Sequence, residues 1–150
     1  MAPMTNEPAK SLHLLFLCTG NSCRSQMAEG WARHLGGAGI EVESAGIEAH
    51  GKNPRAIRAM RAAGVDISPQ QSKTLSPGML EAADVVITVC GHADEACPVL
   101  PAYVQKEHWP LDDPARATGS EQEISRVFEA SRDEIRRRVA DLLARLAKED

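Results

Sequence analysis

The segment Leu12-His13-Leu14-Leu15-Phe16-Leu17 is nearly all apolar and breaks off at Cys18, where Thr19-Gly20-Asn21-Ser22-Cys23-Arg24-Ser25 takes over. A short apolar run bounded by a turn reads as a buried strand. Beyond the turn, Met27, Ala28, Trp31, Ala32 and Leu35 recur at helical spacing until Gly36-Gly37 ends them. Strand, tight loop and helix in that order confine the chain to folds in which helices cross between strands.

The rest of the chain keeps the alternation. Residues 41–46 read as a second strand. Asn53-Pro54 opens a helix, with Asn as cap and Pro at the first helical position; it carries Ile57, Met60 and Ala63 and stops at Gly64. Ser76-Pro77 repeats that start signal for a short helix to Ala82. Residues 84–90 (DVVITVC) are β-branched and predict a strand, and residues 107–111 predict a weaker one. Ser120 with Glu123 forms a capping box. It starts a long helix with Ile124, Val127, Phe128, Ile135, Val139, Leu142, Leu143 and Leu146 on one stripe. The expected fold is α/β, a three-layer sandwich of a four-stranded parallel sheet with helices on both faces. In such folds ligands sit at the carboxyl ends of the strands. Cys18 and Cys90 both end predicted strands.

The 150 residues are read as a single domain at 12–150 behind a flexible tail at 1–11. A chain of this length buries roughly 70% of its unfolded surface, so it needs no disulfide or metal staple. A net charge of −4 argues against nucleic acid or an anionic membrane as the main partner. The N-terminus has no basic cluster ahead of an apolar core, and the one strong apolar run is too short to span a bilayer. The expectation is a cytoplasmic monomer. Structural disulfides are rare in that compartment, so the four cysteines read as thiols, metal ligands or redox pairs.

Cys18 and Arg24 form C-x5-R, a pattern that gains meaning from its place between a strand and a helix. Holding an oxyanion takes successive inward N–H groups, which Gly20 and Asn21 help to arrange. A helix N-terminus adds donors, and Arg24 offers a bidentate fork. The same positive surroundings activate a cysteine nucleophile. Ser25 is placed to donate to the Cys18 thiolate. Thr19, Gly20, Asn21, Ser22, Cys23, Arg24 and Ser25 are the expected oxyanion-binding residues. Cys23 falls in the first helical turn, where a small buried thiol packs well.

Cys90 and Cys97 are separated by six residues, beyond the usual zinc-knuckle spacing of about two to four. Two inert thiols or a redox pair remain. Seven residues of helix would set their backbones about 10.5 Å apart. A disulfide needs Cα atoms about 4.4–6.8 Å apart, so a bond between them demands that a helical segment unwind. The five histidines show no helix-face metal spacing. His92 reads as a solvent-exposed loop residue, Trp31 and Trp109 as core, and Arg136-Arg137-Arg138 as a solvated helix face.

CTGNSCRSQMAEGW, SAGIEAHG, VCGHADEACP and EHWPLDDPA together resemble the thioredoxin-coupled arsenate reductases, which share the low-molecular-weight protein tyrosine phosphatase fold. The likeness runs from about residue 12 to about residue 144. It implies arsenate reduction for arsenic detoxification, with no bound cofactor and with thioredoxin as reductant. Cys18 would attack arsenate, Asp113 would protonate the leaving oxygen, and Cys90 and then Cys97 would carry the disulfide away from the loop. Asp112 is the local alternative for the acid. Phosphate and sulfate are expected competitors. The alternative function is a low-molecular-weight tyrosine phosphatase using Cys18, Arg24 and Asp113 alone. Against it, Asp113-Pro114 is followed by Ala115 rather than an aromatic platform, and the cysteine pair would be idle.

Some members of that family bind potassium beside the loop through an Asn, a Glu, a Ser and an Asp. Asn21, Glu29 and Ser44 match the first three, and Lys73 stands at the fourth. The expectation is that the Lys73 ammonium replaces the ion, with no metal bound.

Overall fold

The computed structural model describes residues 11–148, so the reading of a flexible tail lies, Ser11 apart, outside the described residues. In chain order the elements are β1 (Leu12–Cys18), α1 (Arg24–Gly36), β2 (Ile40–Gly46), α2 (Pro54–Ala62), α3 (Pro77–Ala82), β3 (Val85–Thr88), α4 (Gly91–Ala96), β4 (Gln105–His108) and α5 (Glu121–Ala147). A turn of 3-10 helix at Pro114–Arg116 precedes α5. All strands pair in parallel in the order β2-β1-β3-β4.

Successive strand residues face opposite sides of a sheet. Leu14, Leu15, Phe16, Leu17 and Cys18 are all buried, so both faces of β1 are covered. The steps β1→β2 and β3→β4 run in opposite directions across the sheet. Right-handed crossovers therefore place α1 and α4 on opposite faces. α1 packs on α5, α2 lies against α5, and α3 and α4 lie against β1. The chain leaves β1 and β3 in opposite directions, and the crevice between their carboxyl ends is where such sheets bind ligands. Cys18 ends β1 and Cys90 follows β3 at that crevice.

Several local expectations hold at the level of individual bonds. Asn53 caps α2 by accepting from the Arg55 N–H at 2.8 Å. Ser120 and Glu123 form the capping box of α5, with Glu123 N–H donating to Ser120 Oγ at 3.1 Å. Other expectations are corrected. Ser76 precedes α3 in extended conformation but accepts no capping bond through its side chain. β4 lies at 105–108 rather than 107–111. It is an exposed, charged edge strand, which apolar patterning overlooks. Pro110 has no N–H with which to continue the ladder beyond Trp109. Val127 is half-exposed, so it falls off the stripe formed by Phe128, Ile135, Val139 and Leu142. Trp31 and Trp109 are core, as expected. Arg136 is more than a solvated charge, because its guanidinium lies 5.4 Å over the Trp31 ring.

Candidate active site

The loop from Cys18 to Cys23 is shaped from outside by the segment that follows β2. Ile47, Glu48, His50 and Asn53 donate backbone N–H bonds to the carbonyls of Cys18, Thr19, Gly20 and Ser22, at 3.2, 2.9, 2.9 and 3.1 Å. Gln26 Nε2 donates to the Asn21 carbonyl at 3.3 Å. A trans peptide that turns its carbonyl outward turns its N–H inward. The segment following β2 thus converts a turn into a concave row of donors for an anion.

Gly46 allows this close approach. A Cβ there would lie 2.2 Å from the Glu48 carbonyl and 2.7 Å from the Asn21 nitrogen, both of them backbone. Gly46→Ala is expected to displace the loop at an overpacking cost of about 1–3 kcal/mol. Isothermal titration with phosphate should then show weakened binding, with a thermal midpoint below that of wild type.

The side chains of Asn21 and Ser25 are buried behind the loop rather than in the cleft, which leaves their backbone N–H groups as the means by which these two residues can serve an anion. Asn21 adopts φ 49°, the left-handed region that Asn tolerates. Its Oδ1 accepts from the Lys73 backbone N–H at 2.8 Å, which fixes the amide orientation. Nδ2 therefore donates to Ser25 Oγ and Ser44 Oγ, each at 2.9 Å. Ser44 in turn donates to Glu29 Oε1 at 2.5 Å. Ser25 Oγ, an acceptor from Asn21, also lies 2.8 Å from Cys18 Sγ. With Asn21 donating to it, the Ser25 hydroxyl is free to turn its hydrogen to the sulfur, the arrangement that solvates a thiolate.

This network also corrects the expectation for Lys73. Asn21, Glu29 and Ser44 do come together, but the Lys73 ammonium turns outward to Glu43 Oε1 at 3.3 Å. The cation that faces Glu29 is Arg33, whose Nε lies 2.9 Å from Oε2 and whose Nη2 donates to the Val42 carbonyl at 2.7 Å. With Glu29 balanced by a guanidinium, and with the Asn21 oxygen and the Ser44 hydroxyl already engaged by the Lys73 N–H, Asn21 Nδ2 and Glu29, this donor set does not fit a bound potassium ion. Steady-state activity is expected to be the same in potassium and sodium buffers of equal ionic strength. A potassium-specific activation would contradict that.

On the open side, Thr19, Gly20, Ser22, Arg24, Cys90 and Asp113 surround a cleft of about 800 Å³ with Cys18 at its base. Arg24, in the first turn of α1, is clamped by the Leu111 carbonyl at 2.9 Å and reaches to 3.7 Å from Asp113 Oδ2. Asp113 also accepts from the Ala115 N–H at 3.0 Å, so its carboxyl is aimed by the 3-10 turn. Asp112 lines the same cleft, and the Arg24 contact distinguishes Asp113 from it. Cys90 Sγ lies 3.3 Å from Thr19 Oγ1 and accepts from the Ala93 N–H at 3.3 Å, which caps α4. Segment 91–96 is helical, so Cys97 sits at the far end of α4 from Cys90, and the geometric demand for unwinding applies. His92 is exposed on α4 at the cleft mouth, on a helix rather than a loop. His50, another cleft residue missed in the sequence, packs its ring against Gly20.

All four cysteines are free thiols. Burial pushes the Cys23 thiol up to about 12, with the charge of Asp113 adding to the effect. Cys23 is therefore protonated and poorly nucleophilic at neutral pH despite its place in the loop. Among the described residues, no cluster of His, Cys, Asp and Glu is arranged to hold a metal ion.

A thiol at a strand end, an arginine opening the next helix and a carboxylate on a facing loop, on a four-stranded parallel sheet, describe a phosphatase-type oxyanion enzyme. The chain belongs to the low molecular weight phosphotyrosine protein phosphatase family, whose model matches residues 13–150. Within that family its sequence likeness is to arsenate reductases, while its fold is shared as well with an arginine phosphatase of Geobacillus stearothermophilus, at a TM-score of 0.77 and 26% identity over 92% of this chain and 94% of that one. This protein is 56% identical over 126 residues to an arsenate reductase of Bacillus licheniformis, covering 84% of this chain and 91% of the relative. A solved arsenate reductase in a phosphate-binding state superposes with a TM-score of 0.74 at 37% identity, over 89% of this chain and 98% of the other. A thioredoxin-dependent arsenate reductase of Corynebacterium glutamicum superposes at 0.73 with 28% identity, over 95% of this chain and 64% of that one.

Proposed function

We propose that this protein reduces arsenate to arsenite through Cys18, Cys90 and Cys97, with thioredoxin as the final reductant. The observation that carries the reading is the position of Cys90 Sγ, 3.3 Å from the hydroxyl of Thr19 in the oxyanion loop. A phosphate hydrolase has no use for a second thiol there. Arsenate sits against the loop N–H groups and Arg24. The Cys18 thiolate attacks arsenic, and the leaving oxygen departs as water with a proton from Asp113. Cys90 then attacks the Cys18 sulfur. The As–S bond breaks, its electron pair stays on arsenic as arsenite, and a Cys18–Cys90 disulfide remains. Cys97 attacks Cys90, which frees the Cys18 thiolate and leaves Cys90–Cys97 for reduction by thioredoxin. The thioredoxin dependence of the Corynebacterium glutamicum relative supports that choice of donor.

The test is arsenate-dependent NADPH oxidation in the presence of thioredoxin and thioredoxin reductase. Turnover that stops when thioredoxin is omitted supports the proposal. Absence of turnover, with Cys18-dependent hydrolysis of an aryl phosphate, would establish the phosphatase alternative.

A further inference from the structure

The relay requires α4 to unwind between two of its thiols, so what holds α4 wound becomes part of the reaction. Its first turn is capped by the Cys90 sulfur, which accepts the Ala93 N–H. That bond is lost as soon as Cys90 enters a disulfide with Cys18. A second tie lies further along. Asp94 Oδ1 is 2.9 Å from Lys106 Nζ and accepts from Thr88 Oγ1 at 3.1 Å. Lys106 Nζ also donates to the Asp94 carbonyl at 3.4 Å, and His108 Nδ1 stands 3.9 Å from the same carboxylate oxygen. The partners of Asp94 lie on β3 and on the edge strand β4. One carboxylate thus straps α4 to the sheet.

We propose that Lys106 is a positioning residue for the second thiol exchange: it holds α4 wound through the Asp94 carboxylate and carbonyl, and the balance between its charge and that of Asp94 bears on Cys97 at the end of that helix. The proposal rests on the three-thiol reading above. Burial holds the Cys97 thiol above its ordinary range; the Lys106 charge opposes this, and the Asp94 charge adds to it. Loss of the Asp94 charge with Lys106 in place therefore favours the Cys97 thiolate, the form that attacks. In that step the Cys97 proton passes to solvent, the Cys97–Cys90 bond forms, the Cys90–Cys18 bond breaks and Cys18 leaves as thiolate.

The test uses the full-length reduced enzyme. The rate of iodoacetamide alkylation at Cys97 is followed by peptide mass spectrometry from acid to alkaline pH, for wild type, Asp94→Asn and Asp94→Asn/Lys106→Gln. The alkaline plateau reports access to the sulfur, and the midpoint reports its protonation. Asp94→Asn is expected to raise the plateau roughly twofold to fivefold, the range a half-exposed ion pair sustains, and to lower the midpoint. Adding Lys106→Gln is expected to move the midpoint back to higher pH while the plateau stays raised. An unchanged plateau in Asp94→Asn, or an unmoved midpoint on adding Lys106→Gln, overturns the proposal. A wild-type enzyme that forms no Cys90–Cys97 bond with arsenate overturns the relay itself, and that result is separate because alkylation is read without arsenate.

Discussion

Cys97→Ser is expected to abolish steady-state arsenate turnover while still releasing at most one arsenite per enzyme molecule. The first two thiols are untouched by the change. Cys18 stays at the base of the cleft with the Ser25 hydroxyl at 2.8 Å, and Cys90 stays beside Thr19. Arsenic can therefore be reduced once. The Cys18–Cys90 disulfide then has no resolving thiol, and Cys18, 3% exposed at the base of the cleft, is out of reach of an external dithiol. Cys97 is half-buried at the end of α4 and tolerates serine without a large cavity, so the fold is expected to persist. A rapid-quench assay of arsenite per enzyme reads the result. Sustained turnover in this variant would mean that thioredoxin attacks the first disulfide directly.

The second large effect is expected for Arg24→Lys. The Arg24 guanidinium is held on one side by the Leu111 and Val89 carbonyls, at 2.9 and 3.5 Å, and on the other faces Asp113 at 3.7 Å. It therefore places two tasks in one planar group: a fork for two oxyanion oxygens and a fixed charge beside the acid. Lysine keeps the charge and loses the fork. A fall in kcat/KM of about 10²–10³ is expected, comparable to removing a donor that faces developing charge. Phosphate inhibition should weaken in parallel, because phosphate meets the same donors. A variant that loses turnover but binds phosphate as wild type does would assign Arg24 to aiming Asp113 alone.

Much of this site was legible because its signals are local. A strand, a turn containing Gly20 and Asn21, and an arginine at a helix start are neighbours in the chain, so C-x5-R carries its own context. The capping box at Ser120 and the cap at Asn53 are equally local, and both appear as drawn. What stayed hidden depends on pairing across the sheet. Residues 47–53 shape the oxyanion loop through backbone bonds, which leave no mark on side-chain pattern. β4 is set by its ladder to β3, from Val85↔Gln105 to Thr88↔His108, although its residues are charged. Lys73 stands where the resemblance implies an aspartate, and its side chain answers to Glu43, while Arg33 one helical turn beyond Glu29 supplies the balancing charge. The side chains of Asn21 and Ser25 brace the loop from behind, which only the sidedness of a folded turn reveals.

The most direct measurement is a disulfide map of the wild-type enzyme after one equivalent of arsenate, without reductant, acid-quenched and digested for mass spectrometry. One arsenite released and a Cys90–Cys97 bond, with Cys18 and Cys23 free, is the expected result. Arsenite released alongside a Cys18–Cys23 bond, or no arsenite and four free thiols, would contradict it.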